Sequence, residues 1–263
     1  PVPPAEESGA CWPLRVCVRC TVLLVSLLLS AAASADDDLT IAVASNFIRT
    51  ASELTTRFSE ETGIEVGVSS ASTGTLYAHI LNGAPYDLFL AADSERPRLL
   101  EESGHAVRGS RFTYAYGALT FWSAEATDCL ALLEDEDAGF IALSDPATAP
   151  YGAAAMEFLI AAGYWESVSQ RAVYAKNAMQ AMWYTATGNA TGGLVARALM
   201  TIPNAPQPSC TYDVPADAHA PIVQQAVLSA SSGNADAARR FFEYLKSDAA
   251  REIIKNHGYG VEE

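Results

Sequence analysis

Apolar runs separated by small polar turns recur along the chain, and the first of them is the clearest. Residues 39–43 (Leu-Thr-Ile-Ala-Val) predict a buried strand, which Ser45 and Asn46 end. Apolar residues then recur at roughly helical spacing from Phe47 to Ile64, so a helix is predicted there. This order places a hydroxyl, a carboxamide and backbone N–H groups at a helix N-terminus, an arrangement that binds anions. The simpler alternative is that Ser45 or Asn46 only caps the helix.

Further strands and helices alternate along the rest of the chain. Strands are predicted at residues 65–69, 87–91, 114–122, 139–143, 173–175, 192–196 and 222–230. Helices are predicted at residues 76–81, 97–103, 153–162, 177–184, 235–245 and 249–254, and a proline-rich loop at 203–215. Such alternation implies parallel sheets covered by helices, whose ligands bind beyond the carboxyl ends of the strands. Polar turns lie at three such ends, at residues 45–46, 72–74 and 150–152.

The N-terminal 35 residues have the composition of an export signal. Two arginines precede an apolar run at residues 22–29, and an Ala-Ser-Ala site at 33–35 predicts cleavage before Asp36. The apolar run is too short for a comfortable membrane span. Residues 1–35 are therefore predicted to be a signal peptide that is removed when the protein reaches the periplasm.

Composition limits the classes of partner. With 263 residues, 50% of them hydrophobic, the chain can form one large domain or two lobes with sizeable cores. The net charge of −15 argues against nucleic acid or an anionic membrane as a partner, because both need clustered Lys and Arg. It also means that neutral local donors would have to capture any anion.

Two of the five cysteines, Cys129 and Cys210, lie beyond the predicted signal peptide. The other three would be removed with that peptide. An even pair in an exported protein predicts one disulfide, and two buried thiols are the alternative.

Motifs of catalysis are missing from the sequence. It has no G-x-S-x-G, H-E-x-x-H or P-loop pattern, and its four histidines have no second ligand at metal spacing. Asp87 and Asp93 flank a strand and would share a face, but turn capping is favoured over acid–base work. The chain is therefore predicted to be neither an enzyme nor a protein with direct metal-cation ligands.

Turns that carry hydroxyl groups are the unusual feature. Ser45, Ser72, Thr73 and Thr75 are neutral donors, and Asn46 adds an NH₂ group. Backbone N–H groups at three helix starts add more, so a small dianion could be held in a dry cleft without lysine or arginine. Alternatively, the second turn is only a helix N-cap.

Five segments of the sequence carry a family resemblance. They are Ala-Val-Ala-Ser-Asn-Phe at 42–47, Ser-Thr-Gly-Thr-Leu-Tyr-Ala-His-Ile at 72–80, residues 82–93, Ser-Asp-Pro-Ala-Thr-Ala-Pro-Tyr-Gly at 144–152, and Phe-Phe-Glu-Tyr-Leu-Lys-Ser near the C-terminus. In this order they resemble the periplasmic molybdate/tungstate-binding proteins of ABC importers. The resemblance runs over about residues 39–259, nearly all of the chain after the predicted signal peptide.

The resemblance implies an α/β fold of the two-lobed periplasmic binding protein class (type II, Venus-flytrap). Each lobe would be a mostly parallel sheet flanked by helices. Lobe one would comprise residues 39–118 plus 222–263, and lobe two residues 119–221. Cys129 and Cys210 would then both lie in lobe two, which fits an intralobe disulfide.

The resemblance also implies where an oxyanion is bound. Position by position, the donors of the first two turns fall on four residues, Ser45, Asn46, Ser72 and Thr73. Lobe two would contribute backbone N–H groups at the positions of Tyr151 and Ala178. Tyr151 also matches a subgroup with a tyrosine in the Pro-Tyr-Gly loop, whereas Ala196 departs from members that carry the tyrosine on that strand.

Together these features predict a monomeric solute-binding protein that captures molybdate or tungstate between its lobes. It would need no cofactor, and its partners would be the oxyanion and an ABC permease, with no nucleic acid. Three alternatives remain open: a binder of sulfate or phosphate, an exported hydrolase that uses Asp87 or Asp93, and an oxyanion-sensing module that is not coupled to transport.

Overall fold

The structure, a computed structural model, describes residues 39–202 and 205–262. The predicted signal peptide, residues 1–35, lies outside the described residues. Within the described ranges, every helix falls short of the length and apolar character that a membrane crossing needs.

Strands and helices alternate along the described chain, as the sequence predicted. The strands are β1 (Leu39–Ala44), β2 (Val66–Ala71), β3 (Leu88–Ala91), β4 (Phe112–Gly117), β5 (Leu119–Ser123), β6 (Ile141–Ser144), β7 (Ala172–Ala175), β8 (Gly192–Ala196), β9 (Cys210–Asp213) and β10 (Ile222–Leu228). The helices are α1 (Ile48–Thr62), α2 (Thr73–Leu81), α3 (Glu95–Glu102), α4 (Cys129–Glu134), α5 (Pro150–Ala161), α6 (Trp165–Ser169), α7 (Ala178–Ala186), α8 (Ala235–Tyr244) and α9 (Asp248–Asn256). Short 3₁₀ helices span Ser45–Phe47 and Arg197–Thr201.

Two five-stranded sheets share one topology. The first has the strand order β2-β1-β3-β10-β4, and the second has the order β7-β6-β8-β5-β9. In each sheet the first two pairings are parallel and the last two are antiparallel. The sheets are therefore mixed, whereas the resemblance implied mostly parallel ones. The chain leaves the first sheet through β4 and returns through the neighbouring β10, so these two strands must run in opposite directions.

Two stretches of the chain differ from the sequence-based prediction. Residues 114–122 were predicted as one β-segment, but they belong to β4 and β5 in different sheets, with only Ala118 between them. Residues 203–215 were predicted as a loop, but β9 forms between Pro208 and Pro215 and pairs with β5. Both prolines lie outside that strand, where their missing N–H groups cost no ladder hydrogen bond.

Helix α1 shows how the apolar pattern becomes the core of the first sheet. Its Leu54 and Phe58 are buried, and the Phe58 ring meets Phe241 of α8 edge to face with 5.1 Å between the ring centroids. Burial of each such side chain stabilises the fold by roughly 1.5–3 kcal/mol. The helix ends at Gly63, whose φ of 72° is a left-handed conformation that glycine adopts without strain.

Cys129 and Cys210 form a disulfide within the second sheet and its helices. Cys129 is the first residue of α4 and Cys210 the first residue of β9, and 81 positions separate them in the sequence. The bond fastens the edge strand of the sheet to a short helix.

Candidate anion-binding site

The first polar turn leaves a hydroxyl group unused. Ser45 and Asn46 form a 3₁₀ turn between β1 and α1, and neither side chain makes a capping hydrogen bond. The alternative that they only cap the helix is therefore wrong. The Ser45 side chain is buried, and its hydroxyl has no hydrogen-bond partner among residues 39–202 and 205–262. That hydroxyl is available to a ligand.

The carboxamide of Asn46 is hydrogen-bonded to protein groups and is not free for a ligand. Its Nδ2 donates to Oε1 of Gln224 at 2.8 Å and to the hydroxyl oxygen of Tyr259 at 3.3 Å. The Tyr259 hydroxyl in turn donates to the backbone oxygen of Asn46 at 2.7 Å. Both amide hydrogens are thus engaged, so the expectation of an NH₂ donor from Asn46 is corrected. What Asn46 retains for an anion is its backbone N–H.

The second turn combines capping with free donor capacity. Ser72 caps α2, because its Oγ accepts from the Thr75 N–H at 3.2 Å and lies 2.7 Å from the Thr75 hydroxyl oxygen. Thr73 Oγ1 accepts from the Ala92 N–H at 3.0 Å. That bond orients the Thr73 hydroxyl, and the hydroxyl hydrogen finds no acceptor within the described ranges. Ser72 and Thr73 are both buried.

Helix α5 brings Tyr151 to the edge of the second sheet. Pro150 occupies the first helical position and Ala149 makes no side-chain cap, so the N–H of Tyr151 has no partner inside the helix. The turn is tight, since a Cβ on Gly152 would lie 2.2 Å from the backbone oxygen of Ser144. The Tyr151 ring is 2% exposed, and its hydroxyl oxygen accepts from Nε2 of Gln224 at 3.3 Å.

Burial keeps the Tyr151 hydroxyl protonated. Desolvation raises its pKa well above the usual value of 10, and the nearby phenols of Tyr259 and Tyr114 act in the same direction. The hydrogen bond from Gln224 has a smaller, opposite effect on this pKa. Tyr151 is therefore a neutral hydrogen-bond donor at physiological pH.

Helix α7 presents Ala178 at its first position. Its N-cap residue Asn177 accepts from the Gln180 N–H at 2.9 Å, and Gln180 Oε1 accepts from the Lys176 N–H at 2.7 Å. This is a variant of a capping box, and it leaves the Ala178 N–H without a partner in the helix. Helix α7 packs against the turn formed by Ser45–Phe47, and Ala178 is buried.

The four helix starts lie where the two sheets face each other. Ala44 and Ala92, at strand ends of the first sheet, share one buried cluster with Tyr151 and Ala178. A groove of about 630 Å³ runs beside this cluster, and Ser45 lines it opposite α7. The six candidate residues are all neutral, so the donors are hydroxyl and amide groups.

The other chemical candidates serve the fold. Asp87 accepts from the Thr40 N–H at 2.8 Å and from the Ser232 hydroxyl at 2.6 Å. Asp93 accepts from the Arg96 N–H at 2.9 Å at the start of α3 and forms an ion pair with the same arginine. The predicted capping role is confirmed for Asp93, whereas Asp87 instead joins β1 to the loop before α8. In the part of the chain that the structure describes, no three His, Cys, Asp or Glu residues cluster as a metal site.

Sequence reasoning missed three residues behind the site, Gln224, Tyr114 and Tyr259. All three are buried and hydrogen-bonded to one another or to Asn46. One signal in the sequence could have pointed to them: the pair Gln224-Gln225 interrupts an otherwise apolar strand. The distance in sequence between Asn46 and Gln224 hides the contact from any local pattern.

Comparison with known proteins places the chain in a family. The model of the bacterial extracellular solute-binding protein family matches residues 39–260. The molybdate-binding protein ModA of Azotobacter vinelandii is 38% identical over 247 residues, which are 93% of this chain and 98% of that protein. ModA of Rhodobacter capsulatus is 38% identical over 251 residues, 95% of this chain and 97% of that protein.

The fold agrees with these relationships. The solved structure of the Azotobacter vinelandii periplasmic molybdate-binding protein superposes with a TM-score of 0.81 at 38% identity, covering 86% of this chain and all of that one. The two helix-flanked sheets are thus the two lobes of a type II periplasmic binding protein. The chain belongs to the family of bacterial extracellular solute-binding proteins.

Proposed function

We propose that the protein captures molybdate in the cleft between its two lobes, outside the cytoplasm, and delivers it to an ABC permease. No bond is made or broken in this cycle, so the protein is a carrier and not an enzyme. Relatives that are 38% identical over more than nine tenths of the chain are named molybdate-binding proteins, which supports molybdate as the ligand.

The observation that carries the proposal is the set of neutral donors at four helix starts. The hydroxyls of Ser45, Ser72 and Thr73 lie on the first lobe. The second lobe would contribute the Tyr151 hydroxyl and the N–H groups of Tyr151 and Ala178, which lie at the starts of α5 and α7. Helix N-termini favour negative charge, and hydrogen bonds to an ionised group are stronger than neutral ones. A dehydrated dianion satisfies such a group of donors, whereas a cation or an apolar ligand does not.

Closure of the two lobes would complete the site. We infer that residues 39–118 plus 222–263 form lobe one and residues 119–221 lobe two, since the strands divide between the sheets at these points. Lobe one would bind the anion first through Ser45, Ser72, Thr73 and the Asn46 N–H. Tyr151 and Ala178 would then close over it, which shifts the open–closed equilibrium.

Tungstate has the same shape and charge, and it extends the proposal as a second ligand. We further propose that the protein works as a monomer in the periplasm after removal of residues 1–35. The relatives' names support a periplasmic location for the family.

A thermal-shift panel tests the proposal. The protein is heated with molybdate, tungstate, sulfate, phosphate or chromate at one concentration and ionic strength, with sodium chloride as the control. A ligand at about 100 times its Kd stabilises the folded state by about 2.7 kcal/mol, which corresponds to a rise of roughly 5–10 °C in Tm for a chain of this size. The expected result is a rise with molybdate and tungstate. No rise with either ion overturns the proposal, and a rise confined to sulfate or phosphate assigns a different oxyanion.

A further inference from the structure

A polar residue lies in the middle of β10, where the strand should be apolar. Gln224 has no exposed surface. The register of β10 with β4 shifts at this point, because Gln224 faces Ala115 while Gln225 faces Thr113, which leaves Tyr114 as an extra residue. Such a bulge re-aims side chains, and here the Tyr114 hydroxyl lies 3.2 Å from Gln224 Oε1.

The directions of the hydrogen bonds that lead from Tyr259 through Asn46 and Gln224 to Tyr151 follow from one backbone carbonyl. The carbonyl oxygen of Asn46 can only accept, so the Tyr259 hydroxyl must donate to it. The Tyr259 oxygen is then an acceptor, and the nearby side-chain atom of Asn46 must be its NH₂ group. The second hydrogen of that NH₂ group points to Gln224, which therefore presents Oε1.

The same reasoning fixes the direction of the last hydrogen bond in this series, the one between Gln224 and Tyr151. With Oε1 of Gln224 turned to Asn46, its NH₂ group faces the hydroxyl oxygen of Tyr151 at 3.3 Å. The Tyr151 oxygen accepts this bond, so its own hydrogen is left to point elsewhere. Within the described ranges that hydrogen has no other protein acceptor.

We propose that Gln224 is a positioning residue that turns the hydroxyl hydrogen of Tyr151 toward the bound oxyanion. This inference rests on the proposed function and adds to it a residue that acts through Tyr151. Gln224 would not touch the ligand; it would act by occupying the acceptor side of the Tyr151 hydroxyl.

The contact also links the two lobes. Gln224 belongs to the first sheet and Tyr151 to a helix of the second, so their hydrogen bond crosses the cleft. Space for it comes from Gly117 at the end of β4, where a Cβ would lie 2.2 Å from the Tyr151 hydroxyl oxygen. The bond therefore couples the direction of the Tyr151 hydroxyl to the first sheet.

A double-mutant cycle measures whether Gln224 acts through Tyr151. Molybdate affinity is measured by calorimetry for the full chain, for Gln224→Met, for Tyr151→Phe and for the double variant. Loss of one hydrogen bond to a charged ligand predicts a weakening of roughly 10- to 100-fold for Tyr151→Phe. We expect about tenfold for Gln224→Met, because the hydroxyl hydrogen is then free to rotate away from the anion.

The decisive measurement is the molybdate affinity of the double variant. If Gln224 acts through Tyr151, adding Gln224→Met to Tyr151→Phe changes the affinity by less than about twofold. Gln225→Met is the matched control, since Gln225 is the next residue of the strand and bonds to Thr113 and Arg111 instead. It should bind molybdate like the unmodified protein.

The other possible results of the double-mutant cycle separate a failure of this inference from a failure of the proposed function. Equal, additive losses in the two single variants would show a general packing role and overturn the inference. If Gln224→Met does not fold, Gln224→Glu replaces it, because glutamate keeps the shape of the side chain. Its carboxylate would accept the Tyr151 hydroxyl hydrogen and turn it away from the anion. Unchanged molybdate affinity in Gln224→Glu would also overturn the inference. Failure of the unmodified protein to bind molybdate or tungstate would refute the proposed function itself, and the inference with it.

Discussion

Single hydroxyl groups should account for much of the affinity, and Ser45 and Thr73 are the best placed. The Ser45 hydroxyl has no partner within the described ranges, and the Thr73 hydroxyl is oriented by the Ala92 N–H. We expect Ser45→Ala or Thr73→Ala to weaken molybdate binding by about 1–3 kcal/mol, the value of a hydrogen bond to a charged group. Isothermal titration calorimetry measures the change.

A serine outside the cleft provides the control for these variants. Ser52 is exposed on α1, and Ser52→Ala removes a hydroxyl that cannot reach the anion. It should bind as the unmodified protein does. Unchanged affinity in both Ser45→Ala and Thr73→Ala would show that the site has been assigned to the wrong turns.

Asn46 marks the limit of prediction at the residue scale. The sequence correctly indicated a polar turn after the first strand, because the change from apolar to polar residues is local. It could not indicate where the carboxamide points, since its partners Gln224 and Tyr259 are distant in sequence. The side chain of Asn46 completes a buried network, whereas the pattern alone suggested a ligand donor.

At alkaline pH, the raised pKa of the buried Tyr151 phenol should make the free energy of unfolding depend on pH. Its pKa is raised in the folded state by burial, while in the unfolded chain it returns to about 10. The unfolded chain therefore loses this proton first, so the stabilising contribution is complete below pH 10 and decreases as the pH rises further.

The corresponding variant is Tyr151→Phe. Above pH 10 its free energy of unfolding should fall less steeply than that of the unmodified protein, by up to about 1.4 kcal/mol per pH unit. Urea unfolding at pH 8 to 11 measures both slopes. Identical slopes would mean that the Tyr151 hydroxyl ionises normally in the folded protein.

At the scale of elements, two glycines let a helix start approach a strand. Gly152 fits α5 against the end of β6, and Gly117 leaves room for the Tyr151 ring at the end of β4. We expect Gly117→Ala to displace Tyr151, since the added Cβ would lie 2.2 Å from its oxygen and 2.9 Å from Cζ. Molybdate affinity should fall by about tenfold or more, as the loss of a charged hydrogen bond predicts.

Gly67 in β2 is the matched control for this substitution. A Cβ there would have its nearest neighbours at 3.7 Å, which is ordinary contact. Gly67→Ala should therefore leave the calorimetric affinity unchanged. Full affinity in Gly117→Ala would show that Tyr151 is not needed at its present position.

The strand and helix order was largely predictable, because apolar periodicity is a local property. The crossing between the sheets was not, since Ala118 continues a β-prone segment and carries no turn signal. Strand β9 was missed for a related reason: prolines surround it, and its pairing with β5 and its disulfide to α4 are contacts distant in sequence.

At the scale of the molecule, hydrogen bonds join elements of the two sheets. The Gly74 N–H of the first lobe donates to the Thr148 oxygen of the second at 2.8 Å. Arg96 on α3 donates through Nη2 to the neighbouring Ala147 oxygen at 3.1 Å. Both contacts hold the loop before α5, the helix whose second residue is Tyr151. They should hold the closed state together once the anion is bound.

Arg96→Met tests whether this contact keeps the anion enclosed. Methionine retains an unbranched stem but removes the ion pair with Asp93 and the bond to Ala147, an interlobe bond that we expect to form on closure. The association rate should change little, and the dissociation rate should rise by roughly 2- to 10-fold, as loss of one partly exposed hydrogen bond predicts. Stopped-flow fluorescence can follow release, because Trp183 lines the groove beside the site.

Arg98→Met separates the interlobe contact from the general effect of losing a charge on α3. Arg98 lies on the same helix, and among the described residues its guanidinium pairs only with Glu95 and Glu102 of that helix. Its dissociation rate should equal that of the unmodified protein. If Arg96→Met also released molybdate at the unmodified rate, the loop would be held by the anion and the Gly74 contact alone. A rise in both variants would instead indicate that the electrostatic field of α3, and not the hydrogen bond to Ala147, sets the lifetime of the closed state.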